Sequence, residues 1–483
     1  MKQNGLLGNF FWKFAERISA QVISMVISVV LARLLGPADY GVVAIVMIFI
    51  TFANVFVSDG FGKALIQKKD SNALDFCSVL YFNFAFAVIL YLILFFTAPL
   101  IADFYGSGYE ILVPIIRVLA LRLPLTAINS VQQAYVAKKM IFRKFFVATI
   151  FGTFLSGIVG ICMAYGGFGA WSLVAQYLIG TLVGTVTLGV ALRKKPQLIF
   201  SLDVIKKLLP FGMRVLGVGL LITGYQEIRA LIVGKVYSSS DLAYYDKGRQ
   251  FPNLIVNNIN TSIGAVLFPK MSNEQNDMFK IKATMRNSIR FSAYVLSPTM
   301  LGLAAVAEPF IRLILTDKWL PAVSLLQMFC IVYLFYPIHT TNMQAINSIG
   351  RADVTMKLEI IKKIIELVLL VCAMQISVKA IVVAEVITAT LFVFINAYPT
   401  SKFVKYSIKE QLLDIFPNIC MALLMAAAVY ALNYLPIGDF IKLVIQVAVG
   451  VSLYLLMSLI TRNKEFKFIL SIVSDVFNKR RKT

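Results

Sequence analysis

The sequence predicts an all-α integral membrane protein with about 14 transmembrane helices, built as two parallel six-helix lobes and a C-terminal helix pair. Hydrophobic residues make up 59% of the chain and charged residues 14%, and the mean hydropathy is +0.81. Soluble proteins do not have this composition. Apolar runs of about 20 residues, the length needed to cross a bilayer, recur from near the N-terminus to near the C-terminus.

Charged loops and Gly- or Pro-marked turns divide the chain into its predicted spans. The first apolar run continues to Leu35 without a small-residue cleavage site, so it is expected to be a retained helix and not a signal peptide. The predicted spans are 11–35, 40–61, 76–97, 111–136, 146–165, 170–192, 208–233, 242–268, 289–315, 322–347, 358–376, 380–399, 412–434 and 440–460.

The distribution of basic residues predicts the orientation of these spans. With a cytoplasmic N-terminus, roughly 33 Lys and Arg residues fall in cytoplasmic segments and about 3 in external ones, as the positive-inside rule requires. We therefore expect a multi-pass protein with both termini in the cytoplasm. This topology, and not nucleic-acid binding, explains the net charge of +22. The predicted external loops, such as 36–39 and 166–169, are too short for a catalytic domain, so the function is expected inside the membrane.

An internal repeat predicts the two lobes. One constant shift along the chain aligns Arg33 with Lys235 and Asp39 with Asp241. Chance similarity between two hydrophobic hairpins is the alternative explanation. The shift covers an even number of spans, so the two lobes would be parallel. The same shift aligns Gly62 with Gly264, Leu65 with Leu267 and Lys68 with Lys270. The predicted domains are an N-terminal lobe (1–200), a C-terminal lobe (201–405), and a terminal helix pair with a basic cytoplasmic tail (406–483).

Five sequence segments together resemble a known transporter family. They are ARLLGPADYGVVAI (32–45), DGFGKALIQKKD (59–70), APLIADFYG (98–106), GFGAWSLVAQ (167–176), and the stretch from LAYYDKGRQFPNLIV to LFPKMSNEQND (242–277). In this order they resemble the Wzx-type polysaccharide flippases of the multidrug/oligosaccharidyl-lipid/polysaccharide exporter superfamily. The resemblance covers residues 1 to about 400.

The resemblance implies a transporter and not an enzyme. Similar proteins move undecaprenyl-pyrophosphate-linked oligosaccharide from the cytoplasmic to the periplasmic leaflet by alternating access, for the synthesis of O-antigen, capsule or exopolysaccharide. The expected location is the bacterial inner membrane. The expected partners are the lipid-linked glycan, membrane lipids, and polysaccharide polymerase and assembly proteins, without nucleic acid.

Basic residues inside the spans are the predicted substrate-binding residues, because intramembrane ions are costly and a guanidinium group binds phosphate oxygens in a bidentate manner. Arg122, expected near mid-membrane, is the strongest candidate. Local ion pairs, such as Asp246 with Arg249, are the competing explanation. The predicted substrate-binding set is Arg17, Arg122, Arg214, Arg229, Lys247 and Arg249.

Three acids, Glu16, Asp59 and Glu227, are predicted to bind a coupling proton or sodium ion, since a buried carboxylate titrates readily. Ion pairing with neighbouring arginines is the alternative. No other cofactor is expected. The five cysteines form no C-x-x-C pair that would indicate a metal site, and the chain lacks the G-x-x-x-x-G-K-[ST] motif of ATP-hydrolysing proteins.

Two further positions are expected to be structural. Arg312 either reaches lipid headgroups or pairs with Glu308 one helical turn away. His339 follows Pro337, which interrupts its span, and is expected to be buried and hydrogen-bonded and not catalytic.

Three other functions are alternatives to a flippase for this sequence. A cation-coupled small-molecule exporter of the same superfamily would line its cavity with acids and aromatic rings, whereas this chain has an excess of intramembrane arginine. A membrane polymerase or ligase for lipid-linked glycans commonly carries a large external loop. A lipid scramblase or structural subunit is separated from a flippase only by an activity assay.

Overall fold

The computed structural model describes the backbone of residues 3–58, 60–68, 70–193 and 197–467, and the side chains in these ranges except those of 3–17, 262, 265 and 266. The described chain is helical, with short 3₁₀ turns at Asp317–Trp319 and Leu432–Tyr434. It forms two compact units, Met1–Ala243 and Tyr244–Thr483. The all-helical fold class predicted from composition is confirmed.

Nine helices and the start of a tenth build the first unit. They are α1 (Gln3–Leu34), α2 (Pro37–Ser58), α3 (Phe61–Gln67), α4 (Ala73–Tyr105), α5 (Leu112–Leu119), α6 (Arg122–Lys139), α7 (Phe142–Tyr165), α8 (Ala170–Leu192), α9 (Leu202–Val236) and the first residues of α10 (Ser239–Asn273).

The rest of α10 and eight further helices build the second unit. These are α11 (Met278–Ala305), α12 (Ala307–Leu315), α13 (Ala322–Leu334), α14 (Tyr336–Ser348), α15 (Ala352–Ala373), α16 (Val378–Phe403), α17 (Ile408–Ala431) and α18 (Asp439–Ile460).

Ten helical segments of the described chain are long and apolar enough to cross a membrane, or eleven if α11 and α12, which meet at an angle of 71°, form one span. The predicted count of fourteen spans is therefore not confirmed. The apolar part of α1, Ile18–Leu34, is short. Helix α15 carries many charges, Lys362 among them, whereas α10 combines charged residues near its start, such as Lys247 and Arg249, with several asparagines further along.

The repeat-related aspartates begin their helices in the same way. Asp39, in the first turn of α2, accepts a hydrogen bond from the backbone N–H of Gly36 at 3.1 Å. Asp241, in the first turn of α10, accepts one from the N–H of Ser238 at 3.2 Å, and the Ser238 hydroxyl accepts from the N–H of Asp241 at 3.1 Å. Each carboxylate satisfies an N–H that the helix leaves unpaired. Equivalent local structure at aligned positions supports the internal repeat.

Small residues bring helices of the first unit into close contact. A Cβ added at Gly152 of α7 would lie 3.1–3.2 Å from backbone atoms of Gly180 and Gly184 on α8. A Cβ at Gly41 of α2 would lie 1.8 Å from the carbonyl oxygen of Ser239. Close backbone approach through glycine is a common way of packing helices in membranes.

Charged and polar contacts join helices of the second unit. Asp414 of α17 is 2% exposed and binds Arg286 and Arg290 of α11, and the Tyr406 hydroxyl donates to it at 2.7 Å. In the turn before α11, Asp277 accepts from the backbone N–H groups of Lys280 and Phe279 at 3.1 Å, which holds the pKa of its carboxyl below the usual range.

The terminal helices α17 and α18 pack within the second unit. Tyr454 of α18 donates to the backbone oxygen of Tyr294 on α11 at 3.0 Å, and Gln446 donates to the backbone oxygen of Val429 on α17 at 3.1 Å. The sequence-based division of the chain at residues 200 and 405 stays a prediction. Large apolar side chains face outward on many helices, Leu221 at 77% exposure for example, as is expected for a surface in contact with lipid.

Candidate functional site

A polar cavity lies inside the first unit, among α1, α6, α7 and α8. Its volume is about 400 Å³, within the range of about 300–1,000 Å³ in which proteins bind small organic ligands. Polar groups are costly in an apolar bundle, so their convergence here marks a functional region. The polar lining residues are Ser24 on α1; Arg122, Thr126, Asn129 and Gln133 on α6; Thr149, Thr153 and Ser156 on α7; and Gln176, Tyr177 and Thr181 on α8.

The hydroxyl groups around this cavity donate to their own helices. Thr153 donates to the carbonyl oxygen of Thr149 at 2.8 Å, Ser156 to that of Thr153 at 2.9 Å, and Thr181 to that of Tyr177 at 3.0 Å. This bond lets a hydroxyl group tolerate an apolar surrounding without a partner from another helix. The hydroxyl oxygens keep lone pairs that accept hydrogen bonds from a ligand.

Arg122 is the one charged side chain among the described lining residues of the polar cavity. It begins α6, just after the short helix α5 ends, and its Nε donates to the hydroxyl oxygen of Thr181 at 3.0 Å. Its Nη1 lies 3.4 Å from the sulfur of Met47, and its guanidinium carbon lies 5.3 Å from the centre of the Tyr177 ring. These neighbours are uncharged, so the positive charge is available to an anion.

A second cavity, of about 360 Å³, continues along α6 from the first. Both cavities are lined by Thr126, Asn129 and Gln133, and the second also by Lys63 of α3. We call Arg122, Thr126, Asn129 and Gln133 the α6 polar face. Their spacing of four, three and four residues places them on one side of the helix.

The other predicted binding residues of the first unit lie elsewhere. Arg214 is exposed on α9, and Arg229 on the same helix donates to the Tyr225 hydroxyl at 3.3 Å. Neither is among the described residues lining the polar cavity. Glu227 is half-buried on α9. The predicted binding residue Arg17 and the predicted coupling residues Glu16 and Asp59 lie outside the side chains that the structure describes.

The two predicted binding residues of the second unit make local contacts. Lys247 is buried, donates to Gln250 at 3.1 Å, and lies 5.9 Å from the centre of the Trp319 ring. Arg249 donates to the Tyr333 hydroxyl at 3.5 Å. Their roles in substrate binding stay a prediction.

Glu385, a buried acid of the second unit, is not among the residues predicted to bind a coupling ion. Glu385 of α16 is 9% exposed and accepts a hydrogen bond of 2.6 Å from the hydroxyl of Tyr245. The sequence carries a signal for it, because Glu385 is the one acid in the otherwise apolar helix 378–403. An intramembrane carboxylate of this kind is a functional candidate by default.

The structure shows the ion pair that is one of the two alternatives for Arg312 and the hydrogen bond expected of His339, while a non-catalytic role of His339 stays a prediction. Arg312 binds Glu308 at 3.1 Å, and Asp317 at 2.9 Å. The span that contains Pro337 is broken between α13 and α14, and His339 Nδ1 lies 3.1 Å from the side-chain nitrogen of Asn396.

Residues 30–324 match the family described as "Polysaccharide biosynthesis protein". The chain belongs to this polysaccharide biosynthesis protein family. The resemblance to polysaccharide flippases that the motifs predict is thereby confirmed, and so is the multi-pass membrane character.

Two curated relatives of this polysaccharide biosynthesis protein family member are similar over part of their length. The chain is 25% identical over 311 residues to the succinoglycan biosynthesis transport protein ExoT of Rhizobium meliloti (strain 1021), covering 64% of this chain and 63% of the relative. It is 27% identical over 304 residues to the teichuronic acid biosynthesis protein TuaB of Bacillus subtilis (strain 168), covering 62% of each. The matches thus span under two thirds of either relative.

The fold is similar to that of a solved structure, the lipid II flippase MurJ in an inward closed conformation. The TM-score is 0.74 over 94% of this chain and 99% of that one, at 17% sequence identity. At this identity the likeness establishes the fold alone.

Proposed function

We propose that this protein is a flippase for undecaprenyl-pyrophosphate-linked oligosaccharide in surface polysaccharide synthesis. It moves the lipid-linked glycan from the cytoplasmic to the periplasmic leaflet of the bacterial inner membrane by alternating access, without covalent chemistry. Membership of the polysaccharide biosynthesis family supports this function, as does the transport role in the name of the relative ExoT.

One observation carries the proposal: Arg122 lines a polar cavity inside the helix bundle, and its recorded neighbours are uncharged. An ionised group in apolar surroundings is costly, and an anionic ligand offsets that cost. The guanidinium group matches phosphate oxygens with parallel N–H groups and stays charged at physiological pH. A pyrophosphate headgroup supplies the missing negative charge.

The orientation follows from the basic residues. The turns that hold Lys68, Lys138 and Arg193 face the cytoplasm under the positive-inside rule, as do the corresponding turns of the second unit. In this orientation the protein binds the pyrophosphate group of the lipid-linked glycan at the cytoplasmic leaflet.

Energy for export has two sources in this proposal. The membrane potential favours outward movement of negative charge by about 2.3 kcal/mol per elementary charge per 100 mV. A coupling proton or sodium ion is held by Glu16, Asp59 or Glu227 in this proposal, and the burial of Glu385 supports it as a further candidate. Polysaccharide polymerase and assembly proteins receive the exported glycan.

The experiment that tests this function uses inverted membrane vesicles from a deletion strain that accumulates the lipid-linked glycan. Wild-type protein is expected to move the glycan away from the cytoplasmic face, while Arg122→Ala slows translocation by about 10- to 100-fold, the effect of losing a charged hydrogen-bond donor. Arg122→Lys keeps the charge without the bidentate geometry and is expected to fall between the two.

Arg117→Ala is the matched control, because Arg117 lies close in sequence but is not among the described residues of the cavity. It is expected to transport within about three-fold of wild type. Equal losses in Arg117→Ala and Arg122→Ala would contradict a phosphate-binding role. Wild-type vesicles that leave the glycan on the cytoplasmic face would contradict the flippase function itself and favour the small-molecule exporter.

A further inference from the structure

The α6 polar face belongs to both cavities of the first unit, and its two amides lie further along the helix than Arg122. Thr126, Asn129 and Gln133 line the two cavities, whereas Arg122 lines the larger one. At a rise of 1.5 Å per residue, Asn129 lies about 10 Å along the helix from Arg122, and Gln133 about 16 Å. These distances leave room for a further part of the ligand beyond a phosphate bound to Arg122.

Asn129 and Gln133 form a pair with hydrogen-bonding capacity to spare. The Gln133 side-chain N–H donates to the Asn129 carbonyl oxygen at 2.5 Å. This bond orients both amides and leaves the Asn129 amino group and the Gln133 carbonyl oxygen unused by it. Asn129 is half-buried and Gln133 exposed on the cavity side of α6. One amino group and one carbonyl oxygen, held side by side, match the neighbouring hydroxyl groups of a sugar ring.

The surrounding side chains fit the same kind of ligand. Thr149, Thr153 and Ser156 of α7 line the larger cavity together with the amide pair, and the hydroxyl oxygens of Thr153 and Ser156, whose protons are donated to backbone carbonyls, can accept hydrogen bonds. The described lining residues of both cavities include no Asp or Glu, so an organic cation finds no counter-charge. A lining rich in hydroxyl and amide groups also disfavours an acyl chain, which cannot pair with them.

We infer that Asn129 and Gln133 select the glycan by binding hydroxyl groups of the sugar residues next to the pyrophosphate. This inference rests on the proposed flippase function for its biological meaning. The cavities that α6 shares therefore hold the headgroup in order: phosphate at Arg122, and sugars along Thr126 to Gln133. Discrimination arises because a sugar with a hydroxyl group of the wrong stereochemistry leaves an amide unpaired.

The first test measures sugar binding without lipid or phosphate. The oligosaccharide released by mild acid from the glycan of the deletion strain is added to purified full-length protein in detergent, and binding is followed by saturation-transfer NMR. Wild type is expected to show saturation transfer, and Asn129→Leu and Gln133→Met to lose at least about ten-fold in affinity. These substitutions keep side-chain volume and remove hydrogen bonding.

Gln132→Met is the matched control, since Gln132 is the adjacent glutamine and is not among the described residues of either cavity. It is expected to retain wild-type affinity. Equal affinity in wild type, Asn129→Leu and Gln133→Met overturns the inference, as does the absence of saturation transfer to wild type.

The second test measures selectivity during translocation. Vesicles receive either the glycan of the host strain or an undecaprenyl-pyrophosphate-linked glycan with a different first sugar. The two amide variants are expected to lower the preference for the host glycan by about ten-fold, while the control keeps it. An unchanged preference overturns the inference. Sugar binding that depends on Asn129, found in a protein that moves neither lipid, keeps the sugar site and refutes the flippase function.

Discussion

Replacing one carboxylate oxygen of Asp414 by an amide nitrogen is expected to destabilise the second unit clearly. Arg286 approaches it with a fork, Nε at 2.7 Å from Oδ2 and Nη2 at 2.9 Å from Oδ1. Arg290 donates to Oδ1 from Nε at 3.0 Å, and Tyr406 donates to Oδ2 at 2.7 Å. Asp414→Asn keeps the size of the side chain and leaves two arginines of α11 without their counter-charge.

The expected loss can be estimated from the exposure of the three partners. Breaking a fully buried ion pair on one side costs about 3–5 kcal/mol. Asp414 is 2% exposed, but Arg286 and Arg290 are 42% and 26% exposed, so water solvates part of the released charge. We therefore expect a loss of about 2–3 kcal/mol. At about 2–4 °C per kcal/mol for a unit of this size, the Tm falls by about 4–12 °C.

The assay is thermal unfolding of purified protein in detergent, followed by the fraction that stays monodisperse. Glu410→Gln is the matched control, because Lys282 and Glu410 join the same two helices at 2.9 Å but are 27% and 37% exposed. Gln preserves the hydrogen bond that Glu410 accepts from the N–H of Ser407 at the start of α17. We expect a loss of at most about 1 kcal/mol. A Tm shift in Asp414→Asn no larger than that in Glu410→Gln would refute the reasoning.

Three further predictions concern packing and orientation. Gly41→Ala places a methyl group 1.8 Å from a backbone oxygen that cannot rotate away, so the yield of folded protein should fall sharply. Gly184→Ala, with nothing within 4 Å of its added Cβ, is the control and should express like wild type. Equal yields of the two variants would contradict the close approach at Gly41. Thr181→Val removes the hydroxyl oxygen that accepts the hydrogen bond from Arg122, and should slow translocation by about three- to ten-fold without lowering the Tm. Unchanged transport would show that this hydroxyl group does not orient the guanidinium group. Tyr245→Phe removes the hydroxyl group that donates to the buried Glu385 carboxylate and should cost about 1.5–3 kcal/mol in thermal unfolding. A change of Tm within experimental error would contradict this.

The sequence predicts the helical membrane fold well, because spans are long, apolar and separated by basic turns. The number of spans is harder to predict, since the charges of α15 and the polar residues of α10 make contacts with other helices of the unit. Lys362 on α15, for example, lies 5.6 Å from the centre of the Phe392 ring on α16. Composition along one helix cannot record a contact with another helix.

The candidate site was predictable only where a residue is unusual in its own span. Arg122 is such a residue, since it and Arg117 are the two positive charges within the otherwise uncharged residues 111–136. Asn129 and Gln133 escape prediction because their importance comes from the face of α6 on which they lie. Asp414 escapes it for another reason: its partner Arg286 is 128 residues away in the chain.

The hydroxyl groups that donate to their own helices have a consequence for the exchange of ligand and water in the cavity of about 400 Å³. A hydroxyl oxygen whose proton is donated to its helix offers only acceptor capacity to the cavity, and water satisfies it as readily as a sugar does. Under the proposed flippase function, loading would exchange water for glycan at nearly constant hydrogen-bond number, and unloading would reverse the exchange. Such a site would distinguish its ligand by shape while holding it weakly, so that release would not become the slow step of export.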